Sequence, residues 1–309
     1  MSRIPVIIDC DPGHDDAIAL LMALASPRLD VRAVTVVAGN QTLEKTLNNA
    51  LKVLSFVGAE VEVAAGAAQP LVRPLTIAPE VHGESGLDGP ILPPPTLKPS
   101  PRSAVEVIID VVRKSDQKIT LIPTGPLTNV AAALLLAPDI KANIDRITLM
   151  GGAAYVGNWT PSAEFNILVD PEAAHIVFSS GVPITMVGLD VTHKALVYEE
   201  DIARLKAMNR RVARMVAELL DFFSQFHKRF GFKGSPLHDP LAVAAVIEPQ
   251  VLTTRHLPVV IETKGEYTTG RTVVDFYGVT GMKPNVDVAL EVDRDRFIAM
   301  LFEAMEHFD

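Results

Sequence analysis

The chain has 309 residues, of which 48% are hydrophobic and 21% are charged. This composition excludes an intrinsically disordered chain and allows a large buried core. The 37 Asp and Glu residues outnumber the 28 Lys and Arg residues, and the resulting formal net charge of −9 argues against a nucleic-acid partner.

No segment of the sequence has the features of an export signal or a membrane anchor. The longest uninterrupted apolar stretch, Ala17–Ala25, is too short to cross a bilayer. The single cysteine, Cys10, cannot form a disulfide within the chain, which fits a reducing compartment. We therefore expect a cytoplasmic protein that does not contact a membrane.

From the N-terminus, short β-branched segments alternate with longer helical patterns, which is typical of a parallel sheet covered by helices. The clearest predicted strands are Ile4–Ile8, Val31–Val37, Ile119–Ile122, Ile147–Met150 and Pro183–Val187. The predicted helices between them are His14–Ala25, Leu43–Val57, Ser103–Arg113, Leu127–Leu136 and Pro171–Ser179. Ile119–Ile122 and Ile147–Met150 are almost continuously apolar, so we expect them at the centre of the sheet. We predict an α/β fold, Rossmann-like, with an open, mostly parallel sheet.

Beyond residue 195 the pattern changes to long helices. The predicted elements are a helical stretch Glu199–Phe230 with a break near Asn209, a helix from His238, and strands Val259–Glu262, Thr272–Phe276 and Val286–Val292. We expect a small, mostly helical C-terminal subdomain. Because no linker or internal repeat separates the two halves, residues 1–309 are predicted to be one domain.

The segment Pro90–Pro101 contains six prolines in twelve positions. Proline removes a backbone donor and fixes φ, so this segment cannot be a regular helix or a central strand. A long irregular segment in a compact α/β domain is either a lid or binding loop, or a passive surface loop. Both interpretations remain open at this point.

Four carboxylates lie within eight residues at the end of the first predicted strand. They belong to Asp9, Asp11, Asp15 and Asp16. Asp11 is predicted to cap the following helix, because Pro12 suits a first helical turn. Acidic residues at a helix start are ordinary, so capping alone is one interpretation. Four such charges at the carboxyl end of a strand are better explained by a neutralising cation, and we favour a metal site.

The residue types favour a hard cation at this position. Clustered carboxylates suit Ca²⁺ or Mg²⁺, and no His pair at helical spacing is present to favour zinc. A second acidic position, His238-Asp239, lies just before another apolar segment. Asp239 either caps that helix or supplies a further metal ligand, and His238 is either structural or a titratable group of the site.

Further polar residues follow the predicted strands, at the edge where ligands bind in open α/β sheets. They lie in the segments Gly39–Thr42, Thr124–Pro126 and Gly151–Gly152. Beyond them, the loop 158–166 is rich in neutral hydrogen-bonding groups and contains one carboxylate, Glu164. Such groups suit sugar hydroxyls, whereas a phosphate would call for Arg, Lys or a Gly-rich loop.

The acidic motif Asp9–Asp16 resembles the DxDPGxDD signature of the nucleoside hydrolases, the N-ribohydrolases that split ribonucleosides into base and ribose. The similarity continues in order through Ala38–Thr42, His82–Gly86, Pro123–Gly125, Leu149–Gly152, Ala163–Asn166 and His238–Pro240. These segments cover nearly the whole chain. The chain is therefore similar to this family and, within it, to the bacterial pyrimidine-specific ribonucleoside hydrolases.

The resemblance implies a role for individual residues. It implies Ca²⁺ as the cofactor, held by Asp11, Asp16, the backbone carbonyl of Thr124, and Asp239. It implies that the ribose hydroxyls are bound by Asp15, Asn40, Asn158, Glu164 and Asn166. The catalytic residues that it implies are Asp11, which would deprotonate the attacking water, and His238 and His82, which would face the leaving base. It also implies a dimer or homotetramer that acts on a small-molecule ribonucleoside.

Alternatives remain for the base and for the reaction. Segments such as Val191–Lys194 favour cytidine and uridine, but some pyrimidine-preferring members have a polar pair where this chain has Phe226 and Phe230, so inosine stays an alternative. A haloacid-dehalogenase-like phosphatase would use Asp9 as its nucleophile, although Gly13 stands where that family has Thr or Val. A nucleoside-binding protein without catalysis is the third alternative.

Overall fold

The computed structural model describes residues 3–308, which form strands and helices in layers. The strands are β1 (Ile4–Cys10), β2 (Leu29–Val36), β3 (Glu62–Ala65), β4 (Ile119–Pro123), β5 (Ile144–Met150), β6 (Ile184–Val187), β7 (Leu196–Val197), β8 (Ser235–Pro236), β9 (Leu252–Leu257), β10 (Val259–Ile261), β11 (Thr272–Val274) and β12 (Val286–Val292). The helices are α1 (His14–Ala25), α2 (Leu43–Phe56), α3 (Pro79–His82), α4 (Ala104–Lys114), α5 (Thr128–Leu136), α6 (Phe165–Val169), α7 (Pro171–Phe178), α8 (Leu189–Thr192), α9 (Glu199–Ala207), α10 (Arg211–Arg229), α11 (Asp239–Ile247) and α12 (Arg294–His307), with 3₁₀ helices at Pro138–Asn143 and Pro249–Val251. None of the helices in residues 3–308 combines the length and the apolarity that spanning a bilayer requires.

The main sheet has eight strands in the order β3-β2-β1-β4-β5-β6-β12-β9. Neighbouring strands run parallel, except that β9 is antiparallel to β12. β4 and β5 are interior strands, as their apolar sequences predict. The chain first builds outward from β1 through β2 and β3, and then returns to place β4 on the other side of β1. The predicted mostly parallel α/β sheet is confirmed, and ligands bind at such a reversal of strand order.

Strand β1 shows why both faces of the sheet are buried. Val6 and Ile8 belong to a core that includes residues of α1, α2, α10, α11 and α12. Ile7, between them, packs into a second core with residues of α4, α5 and α7. This alternation follows from the two-residue period of a strand. Helices on both faces therefore hold β1 and its carboxyl end in place.

The start of α1 corrects one prediction. The first helical residue is His14, as predicted, but the N-cap is Gly13 and not Asp11. Asp16, in the first turn, accepts a hydrogen bond from the backbone N–H of Gly13 at 3.0 Å. The Asp11 carboxylate instead accepts one from the backbone N–H of Asn40 at 2.7 Å. The chain leaves β1 after Cys10, so Asp11 faces the loop after β2 and not the helix.

The C-terminal part is mostly helical, as predicted, and it also completes the main sheet. Helices α9 and α10 are separated at Asn209, whose φ of 52° ends the helical path. β12 pairs with β6, and β9 pairs with β12 at the edge. β3, β9 and α12 were not predicted from the sequence. The four central residues of β9 are all exposed, so this edge strand lacks the alternation that marks a half-buried strand.

The proline-rich segment Pro90–Pro101 contains no helix or strand, as its composition predicts. Just before it, Leu87 is buried in the core with α1 and α10, whereas Ile91 is 98% exposed. The start of the segment is therefore anchored beside α10 while its proline run lies on the surface. Whether it acts as a lid stays a prediction.

Candidate active site

The carboxyl ends of β1 and β4 open into a cavity of about 270 Å³. The predicted site residues that line it are Asp15, Asn40, His82, Thr124, Asn158, Glu164, Asn166, His238 and Asp239. Asp11 and Asp16 lie directly behind this lining. Asp11 accepts the backbone N–H of Asn40, and Asp16 accepts the hydroxyl of Thr124 at 2.8 Å. The fold thus brings together every residue that the sequence analysis placed in the site.

Three carboxylates lie together at one end of the cavity. One oxygen from each of Asp15, Asp16 and Asp239 lies within 4.8 Å of the others, and all three residues are buried. Burial and the charge of Asp16 raise the pKa of Asp15 to about 7. Burial and the charges of Asp15 and Asp16 raise the pKa of Asp239 well above its usual value. A bound cation would relieve this desolvation and repulsion.

Asp11 lies beside this group with one oxygen unpaired. Its Oδ2 accepts the backbone N–H of Asn40, but its buried Oδ1 has no hydrogen-bond partner in residues 3–308. The backbone passes close to this carboxylate at two glycines, which have no side chain to clash with it. A Cβ on Gly39 would lie 2.2 Å from Oδ2, and a Cβ on Gly125 would lie 2.5 Å from Oδ1. Burial, and next the charge of Asp16, raise the pKa of Asp11 well above its usual value. Oδ1 is therefore available to a positively charged ligand.

The donor atoms fit a hard divalent cation. Asp11, Asp16, Asp239 and the Thr124 carbonyl offer oxygen only, which is the ligand type of Ca²⁺ and Mg²⁺. The Thr124 carbonyl accepts from Asn166 Nδ2 at 2.7 Å and keeps a second lone pair. The geometry also adds Asp15 to the candidate ligands, because its carboxylate belongs to the group of three with Asp16 and Asp239.

The amide side chains around the cavity retain atoms that can bind hydroxyl groups. Asn40 Nδ2 donates to Asp16 Oδ2 at 3.1 Å, and Asn166 Nδ2 donates to the Thr124 carbonyl. The Oδ1 atom of each of these two amides makes no hydrogen bond in the described residues. In Asn158 the opposite atom is free, because its Oδ1 accepts the backbone N–H of Phe165 at 3.0 Å and its Nδ2 stays available for a ligand. A hydroxyl group both donates and accepts, so this mixture suits a sugar.

Glu164 is held in place by backbone groups. It is the N-cap of α6, and its Oε1 accepts the N–H of Asn166 at 2.9 Å. Its Oε2 accepts the N–H groups of Gly152 at 2.9 Å and Ile167 at 3.1 Å. Burial raises the pKa of Glu164 to about 7, although each of these bonds lowers it. The carboxylate is therefore rigid at the cavity wall.

His82 ends the short helix α3 and is buried against α1. Its Nδ1 accepts the backbone N–H of His14 at 3.3 Å and lies 3.2 Å from His14 Nδ1. His14 Nε2 lies 2.7 Å from the carbonyl oxygen of Asp88, in the loop after α3. Burial lowers the pKa of His82 well below its usual value. His14 thus joins α1 to the segment that carries His82.

The other wall of the cavity is aromatic. It consists of Trp159, Phe165, His193, Phe223, Phe226, His227, Phe230, Phe232 and His238. His238 Nδ1 lies 2.8 Å from the hydroxyl of Thr192, which orients the ring, and burial lowers the pKa of His238 well below its usual value. A cavity with carboxylates and amides at one end and aromatic rings at the other suits a ligand with a polar half and a flat half.

One of these residues, Phe223, was not expected from the sequence, whereas Phe226 and Phe230 were already named beside the base. Phe223, Phe226 and His227 are spaced by three and four residues, so they lie on one face of α10, and Phe230 is the C-cap of that helix. That spacing is visible in the sequence and could have marked the face, but it equally fits an ordinary core helix. The contact between His14 and His82 had no sequence signal, because the two residues are separated by 68 positions.

Asp9 is not part of the cavity lining. Its Oδ1 accepts hydrogen bonds from Thr35 Oγ1 at 2.6 Å and Asn129 Nδ2 at 2.9 Å. The side chain is 1% exposed, and burial raises its pKa to about 7. Asp9 thus connects β1 with β2 and α5 inside the protein. A nucleophile needs access to its substrate, so this placement contradicts the phosphatase alternative.

Comparisons with known proteins agree with this geometry. The family model described as inosine-uridine preferring nucleoside hydrolase matches residues 6–299. The pyrimidine-specific ribonucleoside hydrolase RihA of Salmonella agona (strain SL483) is 54% identical over 308 residues, which is 99% of each chain. RihA of Shewanella woodyi is 53% identical over 307 residues, or 98% of each chain. The solved purine-preferring ribonucleoside hydrolase from Gardnerella vaginalis has a TM-score of 0.92 and 35% identity, over 97% of this chain and 98% of that chain.

Proposed function

The chain belongs to the inosine-uridine preferring nucleoside hydrolase family and is a ribonucleoside hydrolase, and from this premise we propose that cytidine and uridine are its preferred substrates. The products are the free base and ribose. The identity of 54% to a pyrimidine-specific relative, against 35% to a purine-preferring one, supports this preference. Phe226 and Phe230 line the cavity, and because phenyl rings offer no polar group to either kind of base, inosine is the competing substrate to test.

One observation carries the proposed chemistry. Asp15 and Asp239 line the same cavity as His238, and the carboxylate of Asp16 lies directly behind them. His238 is adjacent to Asp239 at the start of α11. The carboxylates can stabilise the positive charge that develops on a ribosyl ring as its N-glycosidic bond breaks. His238 lies toward the aromatic end, where the leaving base would lie. A nucleoside that spans the cavity would place its sugar beside the carboxylates and its base beside His238.

The substrate preference is tested by incubating the protein with uridine, cytidine and inosine. We expect kcat/KM for the two pyrimidine nucleosides to exceed that for inosine by at least about tenfold, because the chain is 53–54% identical to pyrimidine-specific relatives. Base release is measured by chromatography and ribose by a reducing-sugar assay. Phosphate release from p-nitrophenyl phosphate, or inosine as the best substrate, would contradict the proposal.

We propose Ca²⁺ as the cation and Asp11, Asp16, Asp239 and the Thr124 carbonyl as its ligands. Loose geometry and oxygen-only donors favour Ca²⁺ over Mg²⁺, which requires a tight octahedron and several waters. When bound, a divalent cation supplies positive charge that lowers the pKa of a nearby water molecule. The unpaired Oδ1 of Asp11 supports its assignment as a ligand and as the base.

The remaining residues are assigned by what their free atoms can do. Asp11 accepts a proton from the attacking water through its buried Oδ1, which makes no hydrogen bond in residues 3–308. The Oδ1 atoms of Asn40 and Asn166 accept hydrogen bonds from ribose hydroxyls, and Nδ2 of Asn158 donates one. The carboxylates of Asp15 and Glu164 bind hydroxyls and stabilise the charge on the ring.

His238 and His82 are proposed to assist the leaving base. Replacing His238 with alanine is expected to lower kcat for uridine by about 100-fold, because the departing base then lacks a donor. The loss on p-nitrophenyl riboside is expected to be under about threefold, since its leaving group departs without protonation. Steady-state kinetics on both substrates measures the difference. Equal losses on both would show that His238 has another role.

Three further properties are proposed for the whole chain. The family match spans most of the sequence, and strands from both halves share one sheet, which supports a single domain. The resemblance supports a dimer or tetramer, as do the exposed aromatic side chains of Tyr267 and Tyr277. The buried, unpaired Cys10 fits a cytoplasmic location. Sedimentation analysis and cell fractionation test the last two.

A further inference from the structure

His227 has a hydrogen-bonding state that its own helix determines. Its Nδ1 lies 3.1 Å from the backbone carbonyl oxygen of Phe223, one turn earlier in α10. A carbonyl oxygen only accepts, so Nδ1 carries the hydrogen. Burial lowers the pKa of His227 to about 4, and the ring is therefore neutral at pH 7. In a neutral imidazole with hydrogen on Nδ1, Nε2 is purely an acceptor.

The acceptor atom of His227 is unused by the protein. Nε2 makes no hydrogen bond in residues 3–308, and the ring lines the cavity. Its neighbours are the rings of Phe223 at 4.5 Å, Phe226 at 5.4 Å, Phe232 at 5.7 Å and His238 at 6.2 Å between centroids. The phenyl rings among these have no hydrogen-bonding atoms. His227 therefore places an acceptor beside three phenyl rings of the wall.

The other histidines at this end of the cavity differ from His227 in one respect. His238 Nδ1 faces the Thr192 hydroxyl, which can donate or accept, so that contact does not set the tautomer. The ring nitrogens of His193 make no hydrogen bond within the described part of the chain. Of these three histidines, His227 alone has a ring nitrogen that faces a backbone carbonyl in the described residues, and that contact leaves Nε2 for a ligand.

We propose that His227 is a specificity-determining residue, whose Nε2 accepts a hydrogen bond from an N–H group on the edge of the substrate base. Uracil presents N3–H there, and cytosine presents its 4-amino group. The inference rests on the proposed function, since it deepens the account of the same site. It assigns His227 to recognition of the base, and it gives no proton-transfer role to this residue.

The physical basis of the selectivity is the cost of an unpaired group. When the N–H group of a base is placed against the aromatic wall, it loses its hydrogen bond to water. Without an acceptor on the protein, the free-energy cost of that loss is not compensated. A base that lacks the N–H leaves Nε2 unpaired instead. A site that bonds a substrate N–H therefore rejects analogues that lack it far better than an apolar pocket rejects an extra methyl group.

The first test uses the unaltered protein with uridine and 3-methyluridine, which has no N3–H, and with cytidine and N4,N4-dimethylcytidine, which has no 4-amino hydrogen. We expect kcat/KM to fall by at least about 30-fold for each methylated analogue. Equal kcat/KM within a pair would overturn the inference. Failure to cleave uridine and cytidine would overturn the proposed function before any variant is made, and the inference with it.

The second test separates the acceptor from the bulk of the methyl groups. His227→Phe keeps a flat ring and removes Nε2. We expect its kcat/KM for uridine to fall by about 10- to 100-fold and its ratio of uridine to 3-methyluridine to drop below about threefold. His175→Phe, at an exposed position of α7, is the matched control and should keep the kinetics of the unaltered protein.

A structural defect would give a different result. p-Nitrophenyl riboside has no N–H edge, so the loss of kcat/KM on it in His227→Phe is expected to be at least about tenfold smaller than the loss on uridine. If both substrates lose activity equally, or if the variant still discriminates against 3-methyluridine as strongly as the unaltered protein does, the assignment of His227 is wrong.

Discussion

Replacing Asp11 with asparagine is expected to lower kcat for uridine by at least about 1000-fold while the protein stays folded. The substitution removes both a proposed ligand and the proposed base, and general base catalysis alone contributes about 100- to 10,000-fold. Asparagine has almost the same shape and can still accept the backbone N–H of Asn40 through its Oδ1. Its amide cannot take a proton from water. Steady-state kinetics and the melting temperature in the presence of a chelator measure the two effects.

The matched control for this experiment lies two residues away. Asp9→Asn makes the same change in another buried carboxylate, one that bonds Thr35 and Asn129 and does not line the cavity. Its Oδ1 can keep both bonds, while the new NH₂ group replaces Oδ2, which is also buried without a hydrogen-bond partner. We therefore expect a lower melting temperature but a kcat within about threefold of the unaltered protein. A kcat for Asp11→Asn within tenfold of the unaltered enzyme would remove Asp11 from the role of base. A collapse of kcat in Asp9→Asn alone would revive a role for that residue.

The central strands could be predicted because their burial is visible in their own sequences. β4 and β5 are buried on both faces, and continuous apolar residues are the signature of that environment. β3 and β9 lie at the two edges of the sheet and depend on pairing with one neighbour. β9 exposes its four central residues, so its own pattern does not distinguish it from a loop.

The residues of the site also divide into those that the local sequence pattern predicts and those that it does not. The acidic residues after β1 and Thr124 after β4 could be assigned to the ligand edge, because parallel strands end together there. The roles of His82, Asn158 and Glu164 depended on the resemblance to a family. These residues lie in a loop or at the end of a very short helix, in positions that follow from tertiary packing, and no local period in the sequence indicates such positions.

The capping error at Asp11 has a physical cause. Asp before Pro predicts an N-cap from local preferences alone. In the structure, Asn40 supplies a backbone N–H to the Asp11 carboxylate, and Asp16 bonds the N–H of Gly13 instead. Asn40 is far away in sequence, so a tertiary contact overrides the local preference. The displaced carboxylate keeps one buried oxygen, Oδ1, without a hydrogen-bond partner in residues 3–308.

Removing divalent cations with a chelator is expected to abolish uridine hydrolysis and to lower the melting temperature by about 5 °C. A ligand present at about 100 times its Kd stabilises the folded state by ~2.7 kcal/mol, and the buried carboxylates lose that contribution on chelation. Ca²⁺ should restore activity and stability at lower concentrations than Mg²⁺, because every proposed ligand is a protein oxygen and Mg²⁺ prefers to keep several waters. Activity assays and thermal melts across a titration of each cation provide the measurement.

Two variants show whether the carboxylates are responsible for this dependence. Asp239→Asn removes one of the three carboxylates in the group formed with Asp15 and Asp16. Ca²⁺ should therefore no longer raise the melting temperature of this variant. In chelator the same variant should be at least as stable as the unaltered protein, because it lacks one of three repelling buried charges. Asp145→Asn, at an exposed position on β5, should respond to Ca²⁺ as the unaltered protein does. A chelated protein that still cleaves uridine at full rate and melts at the same temperature would mean that protons, and not a cation, neutralise these carboxylates.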